Sequence, residues 1–198
     1  MSLRQDGRER RQQIFDAALR VFRERGYHAA SAREIAEAAN ISKANLYHYF
    51  PSKDELLYEL AAPLLSELHG ALDRVAGNAR GRDEQLRREI LEAYLDICLS
   101  RRELASFLFA NKILAGHPLL GPGMISLRER LLLILSGASP DLEHELRASG
   151  AVALMEDAVL NFQETDERLL KASALKVLTN FAGYGEPSEP PGDEQNGA

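Results

Sequence analysis

The sequence predicts an all-α protein, with a three-helix unit at the N-terminus and a larger helical body behind it. Apolar residues recur at three- and four-residue spacing along nearly all of the 198 residues, and strand-like alternation is absent. Residues able to cap helices stand where the apolar stripes begin, and Gly or Pro stands where several of them end. Hydrophobic residues make up 45% and charged residues 27%, the mixture of a packed domain rather than a disordered chain. A chain of this length buries about 70% of its extended-state surface and needs no covalent staples. Cys98 is the single cysteine, which excludes an intrachain disulfide framework and a Cys-based zinc cage.

The first helix is expected from about Arg8 to Arg25, with Ile14, Ala18, Val21 and Phe22 on one face and Gly26 as its stop. Ser31-Ala32-Arg33-Glu34 reads as a capping box opening a short helix to Ala39. Asn40 tolerates the left-handed conformation that ends a helix abruptly. Ser42 then caps a third helix through Phe50, and Pro51 stops it. Ser52 to Glu55 reads as a second capping box, starting a helix towards Ala76 that Pro63 should kink or split. Amphipathic segments follow over Arg82–Ser100 and Arg102–Ala115. The next segment, Leu119–Leu135, is one helix or two, because Gly121-Pro122-Gly123 interrupts it. Ser139-Pro140 reads as an N-cap and first position of a helix to about Phe162, and a last helix spans Glu167–Ala182. The tail from 183 to 198, with three prolines, four acids and no base, reads as disordered.

Charge is divided unevenly. Residues 1–53 hold ten Lys/Arg against six acids, and the remainder holds fourteen against twenty-four, within a net charge of −6. A basic head on an acidic body fits a polyanion partner, and a chance distribution over solvated helix faces fits equally well. Met1 to Arg11 is basic and polar with no apolar run behind it, so no secretory signal is expected. The longest aliphatic run, Leu131–Leu135, is too short to cross a bilayer. A cytoplasmic protein with no membrane partner is expected.

Two short helices joined by a tight turn make a helix-turn-helix by spacing. At about 100° per residue, Leu46, Tyr49 and Phe50 share the inner side of the second of them and should pack on Ile14, Phe22 and Ile35. The outer side carries Ala44 and His48, flanked by Asn45 and Tyr47, with Lys43 at the exposed end. Such a face suits the major groove: Ala44 can touch a thymine methyl and Lys43 can donate to guanine. The capped N-termini at Ser31, Ser42 and Ser52 offer backbone amides to phosphate. Lys53 is badly placed for its helix dipole, a fault that an anion in front would repair. The competing reading is a plain three-helix packing unit with half-buried Tyr47, His48 and Tyr49.

At these residues a resemblance enters. Residues 8–57 resemble the DNA-binding domain of the TetR/AcrR family of bacterial transcriptional regulators. The match runs through Arg33-Glu34-Ile35-Ala36-Glu37-Ala38-Ala39, then Ile41-Ser42-Lys43, then Leu46 to Leu57, with Asn40 and Ala44 where that family commonly has Gly. The resemblance implies DNA contacts at Ser31, Arg33, Ser42, Lys43, Ala44, Asn45, Tyr47, His48 and Lys53. It implies a head over 1–53 and an effector-binding and dimerisation domain over 54–182. The function it implies is that of a homodimeric repressor, reading a palindromic double-stranded operator through Ser42–Phe50 and released by a small-molecule effector. Residues 102–120 are similar, over that short stretch, to the pyrimidine-utilisation regulator branch of the family.

The body reads accordingly. Val152, Met155, Val159 and Phe162 form one stripe, and Leu170, Ala174, Val177, Leu178 and Phe181 another; periodicity alone fits internal packing as well, and the resemblance implies that both stripes form a four-helix dimer interface. A ligand pocket between the middle helices is expected to use Tyr58, Leu65, Tyr94, Cys98, Phe107, Asn111 and His117, apolar walls with a few orienting polar groups. No catalytic residue, metal site or cofactor is expected. The five histidines are dispersed, and Gly-rich phosphate loops and nucleophile elbows are missing from the sequence. Glu143, Glu145, Glu156 and Asp157 read as solvated helix faces. A small-molecule carrier without operator binding and an enzyme on a helical scaffold are the alternative functions.

Overall fold

A computed structural model of the chain describes residues 3–77, 83–137 and 140–182. Among these residues the protein is all helix: α1 (Leu3–Arg25), α2 (Ala32–Ala38), α3 (Lys43–Tyr49), α4 (Lys53–Gly77), α5 (Asp83–Ser100), α6 (Arg102–Ala110), a 3-10 turn (Lys112–Gly116), α7 (Gly121–Ser136), α8 (Leu142–Asn161) and α9 (Glu167–Ala182).

The head follows the local chemistry of its sequence. α1 ends at Gly26 (φ +76°), whose amide donates to the Phe22 carbonyl at 2.9 Å. Ser31 and Glu34 form the reciprocal capping box of α2. α2 closes in a Schellman arrangement: Asn40 sits at φ +53°, its amide donates to the Glu37 carbonyl, and the Ile41 amide reaches back to Ala36 at 2.9 Å. Ser42 accepts from the Asn45 amide to start α3, and Ser52 accepts from Glu55 to start α4. Beneath them Ile14, Phe22, Ile35, Leu46 and Phe50 are buried together, with the Phe15 and Phe50 rings 5.2 Å apart. Tyr49, expected in this core, is half-buried at its edge.

α4 belongs to both parts of the molecule. It runs unbroken through Pro63, where a kink or a split was expected, and lies against α1 as well as α5 and α7. The body stacks α8 on α6, α7 and α9. Head and body also meet where Phe22 stacks on Phe107, ring centres 5.8 Å apart.

Four boundaries differ from expectation. α1 begins at Leu3 rather than about Arg8. The segment Arg102–Ala115 is not one helix: α6 stops at Ala110, Asn111 turns away (φ −108°, ψ +62°), and a 3-10 turn follows. α7 begins at Gly121 rather than Leu119, and Gly121-Pro122-Gly123 forms its first turn instead of interrupting it, since Pro needs no amide partner there. α8 starts at Leu142, capped by Asp141, whose carboxylate accepts from the His144 amide at 2.9 Å; Pro140 lies outside the helix. Ser139 and the tail 183–198 lie outside the described residues.

The expected dimer stripes are largely spent inside the protomer. Val152, Met155, Val159, Leu170, Ala174 and Leu178 are buried in its own core, because the most apolar side of an amphipathic helix is taken first by its intramolecular neighbours. Only Phe162, Val177 and Phe181 of those nine residues remain exposed. Leu142, Leu146 and Leu169 are exposed on the same two helices, and an apolar groove between α8 and α9 is lined by Leu154, Phe162, Leu169 and Val177.

Candidate functional site

α3 is seven residues long, about 10 Å at the helical rise, comparable with the width of the major groove. Leu46 fastens it to the head, while Ser42, Lys43, Ala44, Asn45, Tyr47 and His48 are all exposed on its other side. The Lys43 ammonium lies 5.7 Å from the Tyr47 ring centre, a loose cation–π contact, and His48 meets Tyr49 edge-on. The result is a short ridge of cationic, small, amide and aromatic groups with few commitments inside the protein.

Beside it, Ser31 and Arg33 are exposed on the first turn of α2. Arg33 donates to Glu37 at 2.7 Å, one helical turn on, and both ends of this surface pair stay in solvent. The Ser31 hydroxyl donates to Glu34 at 2.8 Å, which holds that carboxyl below the usual range.

Lys53 is placed differently from what its position in α4 suggests. Its ammonium donates to the carbonyls of Tyr27 (2.8 Å), Ala30 (2.9 Å) and His28 (3.4 Å), and lies 4.5 Å over the Tyr27 ring. The fault in the helix dipole is repaired from within the protein by the turn before α2, not by an outside anion. Partial burial lowers its pKa. Arg11, which sequence reasoning passed over, clamps the far end of α3: it pairs with Glu59, lies 4.5 Å over the Phe50 ring and reaches the Tyr49 carbonyl.

The body contains a cavity of about 320 Å³. Leu64, Leu65 and Leu68 of α4, Met124, Leu127 and Leu131 of α7, and Leu108 and Val152 form apolar walls. Three charged groups line it as well, Lys112, Arg128 and Glu156. Arg128 lies 3.3 Å from Glu156, whose carboxyl is pushed up by burial while the two cations oppose that shift. Glu156 is therefore not a member of a solvated face, although Glu143, Glu145 and Asp157 are exposed as expected.

Of the seven residues expected to line a pocket, Leu65 and Tyr94 do. Cys98, one helical turn on from Tyr94, is buried and does not line the cavity, and burial drives its thiol pKa up. Phe107 faces Phe22, and Asn111 spends its amide on the Phe107 carbonyl at 2.7 Å, closing α6. Tyr58 is exposed on α4, and His117 is buried at the junction with the head. Periodicity marked these residues as apolar-facing or polar-tipped, but it carries no information about which neighbour they face. The charged lining was missed for the same reason, since Arg128 and Glu156 come from different helices.

Among the described residues, no cluster of three or more His, Cys, Asp or Glu side chains is arranged to hold a metal. None of their helices is long and apolar enough to cross a membrane.

Residues 14–60 match the family model for bacterial regulatory proteins of the tetR family. The transcriptional activator FasR of Mycolicibacterium smegmatis is 28% identical over 182 residues, covering 89% of this chain and 83% of that protein. The nicotine-responsive transcriptional repressor HdnoR of Paenarthrobacter nicotinovorans is 46% identical over 67 residues, 34% of either chain. Among solved structures, the ketosteroid transcriptional regulator KstR2 of Mycobacterium tuberculosis has the same fold, with a TM-score of 0.72 at 20% identity over 88% of this chain and 93% of that one.

Proposed function

We infer that the chain is a bacterial transcriptional regulator of the TetR family, whose model residues 14–60 match, and that it is a homodimeric repressor controlled by a small apolar effector. Each protomer lays α3 in the major groove of one half of a palindromic operator, the two half-sites about 34 Å apart. Arg33, Lys43, Ala44 and His48 read base edges. Ser31, Ser42, Asn45 and Tyr47 hold phosphates. Lys53 serves from behind by fixing the turn that carries Ser31. The head comprises residues 1–53 and the body 54–182.

The observation that carries this reading is the exposed ridge of α3 standing over a buried Leu46. The body cavity supports the effector half of it: at about 320 Å³ and mostly apolar, it falls within the size range of small-molecule sites. The exposed apolar residues of α8 and α9, Leu142, Leu146, Phe162, Leu169, Val177 and Phe181, support an isologous dimer face.

The test is fluorescence anisotropy with the DNA upstream of the protein's own gene at low salt. Saturable binding by a dimer, lost on the double substitution Lys43→Ala/His48→Ala, is expected. A homogeneous sample indifferent to that DNA defeats the reading. FasR's name as an activator favours a second sign of control, which transcript levels in a deletion strain decide: neighbouring transcripts rise for a repressor and fall for an activator.

A further inference from the structure

The cavity and the head share one stretch of chain. Lys112 and Ala115, in the 3-10 turn, and Met124, in the first part of α7, line the cavity. Between them lies His117, buried and facing the head. Its Nδ1 accepts from the amides of Leu119 (3.3 Å) and Leu120 (3.2 Å), so the ring proton sits on Nε2. Nε2 in turn lies 3.3 Å from Asp54 Oδ1 and 3.2 Å from the Tyr27 hydroxyl, and that hydroxyl also donates to Asp54.

The corner around His117 is stiff. Its amide donates to Leu114 (3.0 Å) and its carbonyl accepts from Gly121 (2.8 Å). Gly121 lies so close against the Ala115 carbonyl that a Cβ there would collide with it. A displacement of the cavity wall at Ala115 or Met124 therefore carries His117 with it.

The receiving side is equally tied. Asp54 is in the first turn of α4, and Tyr27 is in the turn between α1 and α2. The Lys53 ammonium joins these two places through the carbonyls of Tyr27, His28 and Ala30. Ser31, the N-cap of α2, comes next in the chain. One imidazole thus spans from the cavity's corner to the base of the helix-turn-helix.

We propose that His117 is the positioning residue that couples the cavity to the head. A molecule filling the cavity pushes the 112–124 corner outwards and draws Nε2 away from Asp54 and Tyr27. The turn 27–30 and the first turn of α4, released together, let the head change its angle to the body. The proposal rests on the reading of the cavity as an effector site and names how that site regulates the head.

The experiment uses full-length protein and the fluorescent naphthalene sulfonate ANS as an apolar probe, counting only binding that Met124→Trp removes. Hydrogen exchange is followed at the amides of residues 27–31 and 53–57. Bound ANS is expected to speed that exchange about fivefold or more in the wild-type protein, the low end of ordinary allosteric couplings. His117→Phe is expected to bind ANS equally well, to show the fast exchange already without it, and to respond no further. Asp54→Ala, on the half-exposed side of the contact, is the second variant should His117→Phe fail to fold, with the same expected loss of response. A wild-type response preserved in a folded variant overturns the coupling role. So does bound ANS that leaves wild-type exchange unchanged, and in that case the cavity still stands as a binding site. If no ANS binding depends on Met124, the cavity reading falls and the coupling falls with it.

Discussion

The Lys53 ammonium lies 2.8 Å from the Tyr27 carbonyl oxygen and 4.5 Å above the ring of the same residue. A cation at the positive end of a helix is thereby neutralised by the carbonyls of a neighbouring turn, and two segments of the head are joined through one side chain.

Lys53→Met should lower stability by about 1.5–3 kcal/mol, the range for hydrogen bonds involving a charged group. DNA binding should weaken for every sequence, while the slope of log affinity against log salt stays unchanged. A phosphate contact would instead remove about 0.9 from that slope. Anisotropy titrations at several salt concentrations separate the two outcomes.

Substitutions on the exposed ridge should act on sequence preference. Lys43→Ala is expected to change discrimination at one base position by about 1–3 kcal/mol and leave stability nearly untouched. Ala44→Gly, with its methyl removed, is expected to change base preference while costing up to about 1 kcal/mol of stability. Selection from a randomised operator library reads this directly. Unchanged preference in both variants removes them from base recognition.

Val177→Glu and Phe181→Glu, both on the exposed side of α9, should give monomers in sedimentation and cost about a hundredfold or more in operator affinity through lost avidity. Met155→Ala, on the fully buried side of α8, should instead cost about 2–5 kcal/mol of stability and leave the oligomeric state alone. Had the buried stripe been the interface, these two results would be exchanged.

Asp54 supplies a pH dependence. Its carboxyl is held low first by the Tyr27 hydroxyl, against the effect of its burial, and further by His117 and Lys53. The folded state therefore binds fewer protons than the unfolded one in the acid range. The stabilisation is complete above the ordinary Asp pKa of about 4 and is lost as pH falls through the lowered folded value. With half of this side chain in solvent, the effect is under about 1 kcal/mol. Urea titrations from pH 3 to 7 should show a shallower acid limb for Asp54→Ala than for the wild-type protein.

The head was legible in the sequence because its instructions are local. Ser31 and Glu34 cap across three residues, Asn40 turns the chain by its own conformation, and Ser42 starts α3 through an amide three positions on. The outward face of Ser42 to His48 follows from the same short-range geometry. Helical periodicity likewise placed most of the body helices, and α9 at the ends where it is found.

What tertiary structure alone decided is which partner each face meets. Val152 and Met155 went to the protomer's core, His117 to the head, and Glu156 to the cavity beside Arg128, 28 positions away in the chain. A hydrophobic stripe states that a side must be covered and not what will cover it, because burial is non-directional and rewards any apolar neighbour alike. Only closure of the whole chain, with long-range hydrogen bonds such as Lys53 to Tyr27, selects among those neighbours.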